Sequence, residues 1–184
     1  MKIALYLGYF NPFHNGHLEV IKTAIKDFKM DEVVIVPTMQ NPCKEEKVLD
    51  IDLRRKIIWN SIRGEKLNSR FNFPYGLGDL SLIVPVDLIE KELIPPYYSY
   101  ATLHALKVKY CNDEIYVLVG SDTMEDIPNW MHGGQIIQDY DFLIVDRSEE
   151  HPSSTKIREL VRKGEDISQY VNENVINLIK NYYK

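Results

Sequence analysis

Two imidazoles three residues apart, His14 and His17, stand where a short apolar run, Lys2–Gly8, passes through Tyr9-Phe10-Asn11-Pro12-Phe13 into a helical pattern. Side chains at i and i+3 share one helix face, so both rings can donate to the same phosphoryl group. The start of a helix adds unpaired N–H groups and about half a positive charge, which together attract anions. Gly16, between the rings, keeps side-chain bulk away from that approach. The same spacing also serves as half of a metal site, but no acidic residue or third imidazole lies nearby to complete one.

Two further groups have types suited to a nucleotide. Gly120-Ser121-Asp122 follows another apolar run, and a carboxylate there can accept from ribose hydroxyls while the glycine lets a nucleotide lie against the backbone. Trp130, in the polar stretch Pro128-Asn129-Trp130-Met131-His132, offers a flat face for an aromatic ring or packs inward. The last group is Ser153-Ser154-Thr155-Lys156-Ile157-Arg158. Its hydroxyls either cap a helix or hold phosphate oxygens, and Arg158, one turn in, carries a planar fork able to bridge two of them. Two anion-binding helix ends with three donor side chains suit a triphosphate.

These groups need a scaffold that brings strand ends together, and the apolar patterning supplies one. Ile3–Leu7, Glu32–Val36, Glu114–Val119 and Asp141–Val145 are short continuous apolar runs, the pattern of strands buried on both faces. Between them, helical spacing covers Leu18–Phe28, Asp52–Ile62 with Asp52 as its cap, Ser99–Lys109 and Thr155–Lys163, with a terminal helix from about Ser168 to Tyr183. Residues 64–96 are rich in Gly and Pro, with one apolar run at Leu80–Val86, and read as an irregular insertion. Alternating strands and helices predict an α/β, Rossmann-like, doubly wound parallel sheet with helices on both faces. One domain over 1–184 is expected, its last part, 165–184, helical.

Bulk properties narrow the function. The 184-residue chain is 45% hydrophobic and 27% charged, ordinary values for a globular protein. A net charge of −5 argues against nucleic acid as a partner, since that needs a basic face. No run reaches the ~18 apolar residues of a membrane span, no signal-peptide pattern opens the chain, and Cys43 and Cys111 lack zinc-type spacing. Reduced thiols and a cytoplasmic location are expected.

Taken together, these residues resemble the nucleotidyltransferase superfamily with a His-x-Gly-His and a Ser-Ser-Thr-x-Ile-Arg signature. Within it the chain is most similar to the nicotinate/nicotinamide mononucleotide adenylyltransferases. Gly8 through His17 carries the first motif, Gly120-Ser121-Asp122-Thr123 with Trp130 the middle one, Arg147 follows the fourth strand, and Ser153–Arg158 carries the last. Asn41-Pro42-Cys43-Lys44 and Tyr98–Leu103 echo two weaker motifs. The chain departs from the family at Cys43, at Ala101 and in the short connection from Arg147 to Ser153.

The resemblance implies attack of a mononucleotide 5′-phosphate on the α-phosphorus of ATP, releasing pyrophosphate. It assigns catalysis to His14, His17 and Arg158. It assigns ATP binding to Gly8, Tyr9, Phe10, His17, Gly120, Asp122, Ser154, Thr155 and Arg158, and mononucleotide binding to Lys44, Thr102 and Trp130. Magnesium would bridge the ATP phosphates with few or no protein ligands. The partners implied are ATP and a pyridine mononucleotide, with no nucleic acid and no membrane; whether the chain forms a homo-oligomer is open. A pantetheine-phosphate adenylyltransferase, a cytidylyltransferase and a nucleotide-binding regulator without turnover are the alternative readings.

Overall fold

A computed structural model of the chain describes residues 1–39, 49–63, 65, 84–146 and 153–184. Four strands, β1 (Lys2–Gly8), β2 (Glu32–Pro37), β3 (Glu114–Gly120) and β4 (Asp141–Val145), form a parallel sheet in the order β2-β1-β3-β4. Pro85–Asp87 extends the β2 edge: Ile35 N–H donates to the Pro85 carbonyl and Asp87 N–H to the Ile35 carbonyl, both at 2.9 Å. Parallel strands must be covered on both sides, and alternate residues of these strands feed two separate cores. Ala4, Tyr6, Val33, Ile35, Leu118 and Leu143 face the first, Ile3, Leu5, Val34, Val36, Val117 and Val119 the second.

Helices α1 (Asn15–Lys26), α2 (Ile51–Ile62), α6 (Ser154–Lys163) and α7 (Ile176–Tyr183) close the first core, through Ile21, Ile25, Ile58, Ile157, Val161 and Ile179. α3 (Ser99–Lys109) and α5 (Gly133–Asp139) close the second, through Leu103, Leu106 and Ile136. The short α4 (Ser121–Asp126) leads off β3. This is the doubly wound arrangement that the sequence predicts.

Several boundaries differ from the sequence reading, each for a polar reason. α1 starts at Asn15 because the His14 imidazole caps it, and it stops at Lys26, leaving Phe28 outside. Asp50, not Asp52, caps α2, accepting from Asp52 N–H at 2.9 Å; Asp52 instead pairs with Lys91 at 2.7 Å. The terminal helix begins at Ile176 rather than near Ser168. The Asn172 side chain instead caps a new start by accepting Asn174 N–H, an amide that a helix continuing from Ser168 would pair with Tyr170. Within the expected insertion, residues 64 and 66–83 lie outside the described residues. Residues 84–96 are not irregular throughout: Val84 is in the first core, and a 3-10 turn at Ile89–Glu92 seats Ile89 in the second.

Gly133 fixes the corner that carries Trp130. A Cβ added there would lie 1.9 Å from the Ile127 carbonyl oxygen, and Gly133 N–H donates to the Trp130 carbonyl at 2.9 Å. Backbone on both sides of this contact cannot yield as a side chain can. Gly133→Ala is therefore expected to destabilise the fold by about 3 kcal/mol and lower Tm by roughly 6–12 °C, measured by calorimetry.

Candidate active site

The sheet order sets where a ligand can enter. β1 continues to β2 on one side, whereas the chain crosses over to β3 on the other, so the switch in winding direction falls between β1 and β3. Their pairing ends at Leu5 with Val117, three residues before Gly8 and Gly120. The two glycines close the adjacent strands at this crevice.

The turn from β1 into α1 is held through its carbonyls. Thr38 N–H donates to the Gly8 carbonyl at 3.0 Å, Arg54 Nη1 to Tyr9 at 2.8 Å, Arg158 Nη1 to Asn11 at 2.6 Å, and Ser154 Oγ to Pro12 at 2.9 Å. Phe10, at φ 41°, drives its ring into the core, edge-on to Tyr6 and to His17 at centroid distances of 5.2 and 5.0 Å. Gly8 makes room for that ring: a Cβ there would lie 2.7 Å from Phe10 Cζ.

The paired histidines are both buried, with ring centroids 3.7 Å apart. Gly16 N–H donates to His14 Nδ1 and His14 N–H to His17 Nδ1, each at 3.2 Å. A nitrogen that accepts a backbone N–H carries no proton, so the ring proton of each imidazole sits on Nε2. Both rings therefore offer Nε2–H as the donor. The backbone does not share this task as the sequence suggests. Asn15 N–H donates to the Tyr170 carbonyl at 2.9 Å and His17 N–H to the His14 carbonyl at 2.9 Å, so the first turn of α1 has its N–H groups taken.

The start of α6 is different. Ser153 caps it by accepting Lys156 N–H at 3.3 Å, which leaves the N–H groups of Ser154 and Thr155 without an acceptor inside the helix. Thr155 is exposed, and its hydroxyl accepts from Arg158 Nη2 at 3.1 Å. Ser154 and Arg158 both bond the β1–α1 turn, so the last motif lies against the first. Seven expected ATP-site residues, Gly8, Tyr9, Phe10, His17, Ser154, Thr155 and Arg158, are thus joined with His14 in one network.

The remaining expected residues are placed differently. Gly120 is buried and Asp122 exposed in the first turn of α4, at the β3 side of the crevice. Trp130 is half-buried against the second core, beside His132, whose ring lies 5.1 Å from that of Tyr100. Thr102, expected among the mononucleotide-binding residues, faces inward near the start of α3. It is fully buried, its hydroxyl donates to Glu90 Oε1 at 2.7 Å, and its N–H donates to the Tyr98 carbonyl at 3.2 Å. Lys44 and Arg147 lie outside the described residues. Among the described residues no three His, Cys, Asp or Glu side chains cluster as metal ligands, and no helix is long and apolar enough to cross a membrane.

A family model described as cytidylyltransferase-like matches residues 5–160, which span the turn, the histidine pair and α6 as far as Leu160. The chain belongs to the cytidylyltransferase-like family. Relatives named probable nicotinate-nucleotide adenylyltransferase include one from Flavobacterium johnsoniae, 27% identical with all of both chains covered, and one from Clostridium kluyveri, 28% identical over the same full share. The fold is also that of the Plasmodium falciparum nicotinic acid mononucleotide adenylyltransferase complexed with NaAD, at a TM-score of 0.70 and 16% identity, covering 99% of this chain and 97% of that one.

Three residues of this family member escape the sequence reading. Arg54 is 1% exposed, its guanidinium on the carbonyls of Tyr9 and Leu49. Helical spacing puts it on the same face as Ile57, Ile58 and Ser61, so an arginine on a buried stripe was the available signal. Glu90 and Tyr183 have no comparable local signal. Glu90 is fully buried, accepting from Thr102 on one oxygen and from Met39 N–H at 2.5 Å on the other. It thereby ties the end of β2 to α3.

Burial pushes the Glu90 carboxyl above the ordinary carboxylate range, against the opposing pull of Met39 N–H, the Thr102 hydroxyl and the Arg54 charge. The folded state then binds this proton more tightly than the unfolded chain. Stability from Glu90 is fully present below the unfolded value of about 4.3 and declines as pH rises through the folded one. Glu90→Gln removes that titration, so its stability relative to the unsubstituted protein should improve as pH rises from about 4 to 7 in urea unfolding. A difference that stays constant with pH would rule the buried carboxylate out as its source.

Proposed function

We propose that the chain transfers the adenylyl group of ATP to nicotinate or nicotinamide mononucleotide, forming the dinucleotide and pyrophosphate of NAD biosynthesis. The observation that carries this reading is the pair of Nε2–H donors set against the start of α6 across one turn. Such donors suit charge that develops on phosphoryl oxygens.

The reaction forms one bond and breaks one. An oxygen of the mononucleotide phosphate attacks the α-phosphorus in line, and the bond from that phosphorus to the bridging oxygen breaks, its electron pair leaving with pyrophosphate. The attacking group is already an anion, so no general base is needed. Catalysis then consists of positioning and charge stabilisation, for which the network has the parts. His14 and His17 donate to the α-phosphate. The N–H groups of Ser154 and Thr155, with Arg158, hold the departing phosphates, assisted by Lys44. Asp122 accepts from ribose beside Gly120.

Trp130 stacks on the pyridine ring. Thr102 acts on that site through Glu90 and the start of α3 rather than by touching the substrate. The donors gathered here are anion donors, not metal ligands, and this fits an ATP carried as its magnesium complex, the ion being held by the phosphates. Bound there, magnesium would neutralise part of the phosphate charge. The same reading puts the protein in the cytoplasm.

The test is pyrophosphate release from MgATP with each mononucleotide; silence with both overturns the reading. His17→Ala should lower kcat by about 10²–10³ while the far-ultraviolet circular dichroism is unchanged, as for loss of one preorganised donor. A near-normal rate would remove His17 from the chemistry. Trp130→Ala should raise the mononucleotide KM about tenfold and leave the KM for ATP within twofold, in line with a lost aromatic stack of 1–3 kcal/mol. Equal effects on the two substrates would assign the indole to packing alone.

A further inference from the structure

The end of the sequence reaches back into the first motif at two points. Tyr183, buried at the end of α7, donates its hydroxyl to Asn11 Oδ1 at 2.5 Å across 172 positions of sequence. The Tyr170 carbonyl accepts Asn15 N–H at 2.9 Å, and the Gln169 carbonyl accepts Asn15 Nδ2 at 3.2 Å. Segment 169–183 therefore braces the turn immediately before His14 and the residue immediately after it. Asn172 anchors the brace in turn, donating to the Ser61 carbonyl at 3.3 Å and to Glu65 Oε1 at 3.0 Å.

We propose that Tyr183 is a positioning residue for adenylyl transfer, fixing Asn11 so that the histidine pair and Arg158 keep their mutual placement. The inference rests on the adenylyl-transfer reading. Asn11 is the junction: its carbonyl takes Arg158 Nη1 at 2.6 Å, and its side chain takes Tyr183. A shift at Asn11 moves the arginine and the turn into His14 together. Stability does not explain the pair, because two apolar groups of the same shape would pack as well as a buried hydroxyl and amide. The other end of the same amide, Nδ2, is buried with no partner among the described residues, a burden that a residue retained for packing alone would shed. Burial holds the phenol well above its ordinary pKa, with Arg158 and Arg54 pulling the other way, so the hydroxyl remains a donor throughout the working range.

Tyr183→Phe keeps the ring and deletes the donor. In the full chain it should lower kcat about tenfold with the KM of each substrate within twofold, since a displaced turn misaligns donors without removing any. Tyr182→Phe, at the exposed neighbour, should leave kcat unchanged. Asn11→Ala breaks the same bond from the other side, and the double variant should fall no further than the weaker single one; multiplied losses would overturn the proposal. A kcat for Tyr183→Phe within twofold of the unsubstituted enzyme would overturn it as well. If the unsubstituted chain releases no pyrophosphate, adenylyl transfer fails by itself, and the brace is still read by hydrogen exchange. Tyr183→Phe should then speed exchange of the Asn15, Gly16 and His17 amides at least tenfold, and unchanged protection there would refute the brace.

Discussion

The turn between β1 and α1 can face an anion only if its carbonyls are turned away and satisfied elsewhere. A buried carbonyl without a donor costs about 1–3 kcal/mol, so a turn of this kind cannot hold itself. Here four carbonyls, those of Gly8, Tyr9, Asn11 and Pro12, each meet a donor, and the four donors come from three separate parts of the chain: the exit of β2, α2 and α6. The Phe10 ring pins the same turn from below, in the space that Gly8 leaves open. The position of the two imidazoles follows from this arrangement, because His14 both ends the turn and caps the helix that carries His17.

The sheet explains why these parts can meet. Reversal of winding between β1 and β3 opens a crevice at their carboxyl ends, and helices of the two faces reach it from opposite sides. From the first face α1 brings the histidine pair and α6 brings Ser154, Thr155 and Arg158, while Arg54 of α2 and Tyr183 of α7 hold the turn between them. The corner after β3, with Trp130 and the buried Glu90–Thr102 link, belongs to the second. In the proposed reading, triphosphate and pyridine ring would be served by different layers of one fold, and the strand ends are where the layers join.

The two helix starts that look equivalent in sequence behave differently in three dimensions. Both follow a turn and both carry hydrogen-bonding side chains. At α1 the chain itself takes the free N–H groups, through His14 Nδ1, the His14 carbonyl and the Tyr170 carbonyl, and the imidazoles remain as donors. At α6 the Ser153 hydroxyl reaches only Lys156, and two N–H groups have no acceptor in the helix. One helix end works through side chains, the other through backbone as well. The difference arises from the His14 imidazole, which takes Gly16 N–H, and from the Tyr170 carbonyl, which takes Asn15 N–H and which no local pattern connects to residue 15.

By itself the sequence determined the strands, most of the helices, the doubly wound class and the two signatures of the candidate site. Those features are written in local periodicity and fixed spacings, which short segments carry without help. Tertiary structure alone decided which side chains hold the turn and which residues face inward: Arg54 reaching Tyr9 across 45 positions, Tyr183 reaching Asn11 across 172, Thr102 turned to Glu90. Such pairings arise when a buried acceptor takes whichever donor the packing brings near. That choice depends on how helices dock on the sheet, and no stretch of neighbouring residues encodes it.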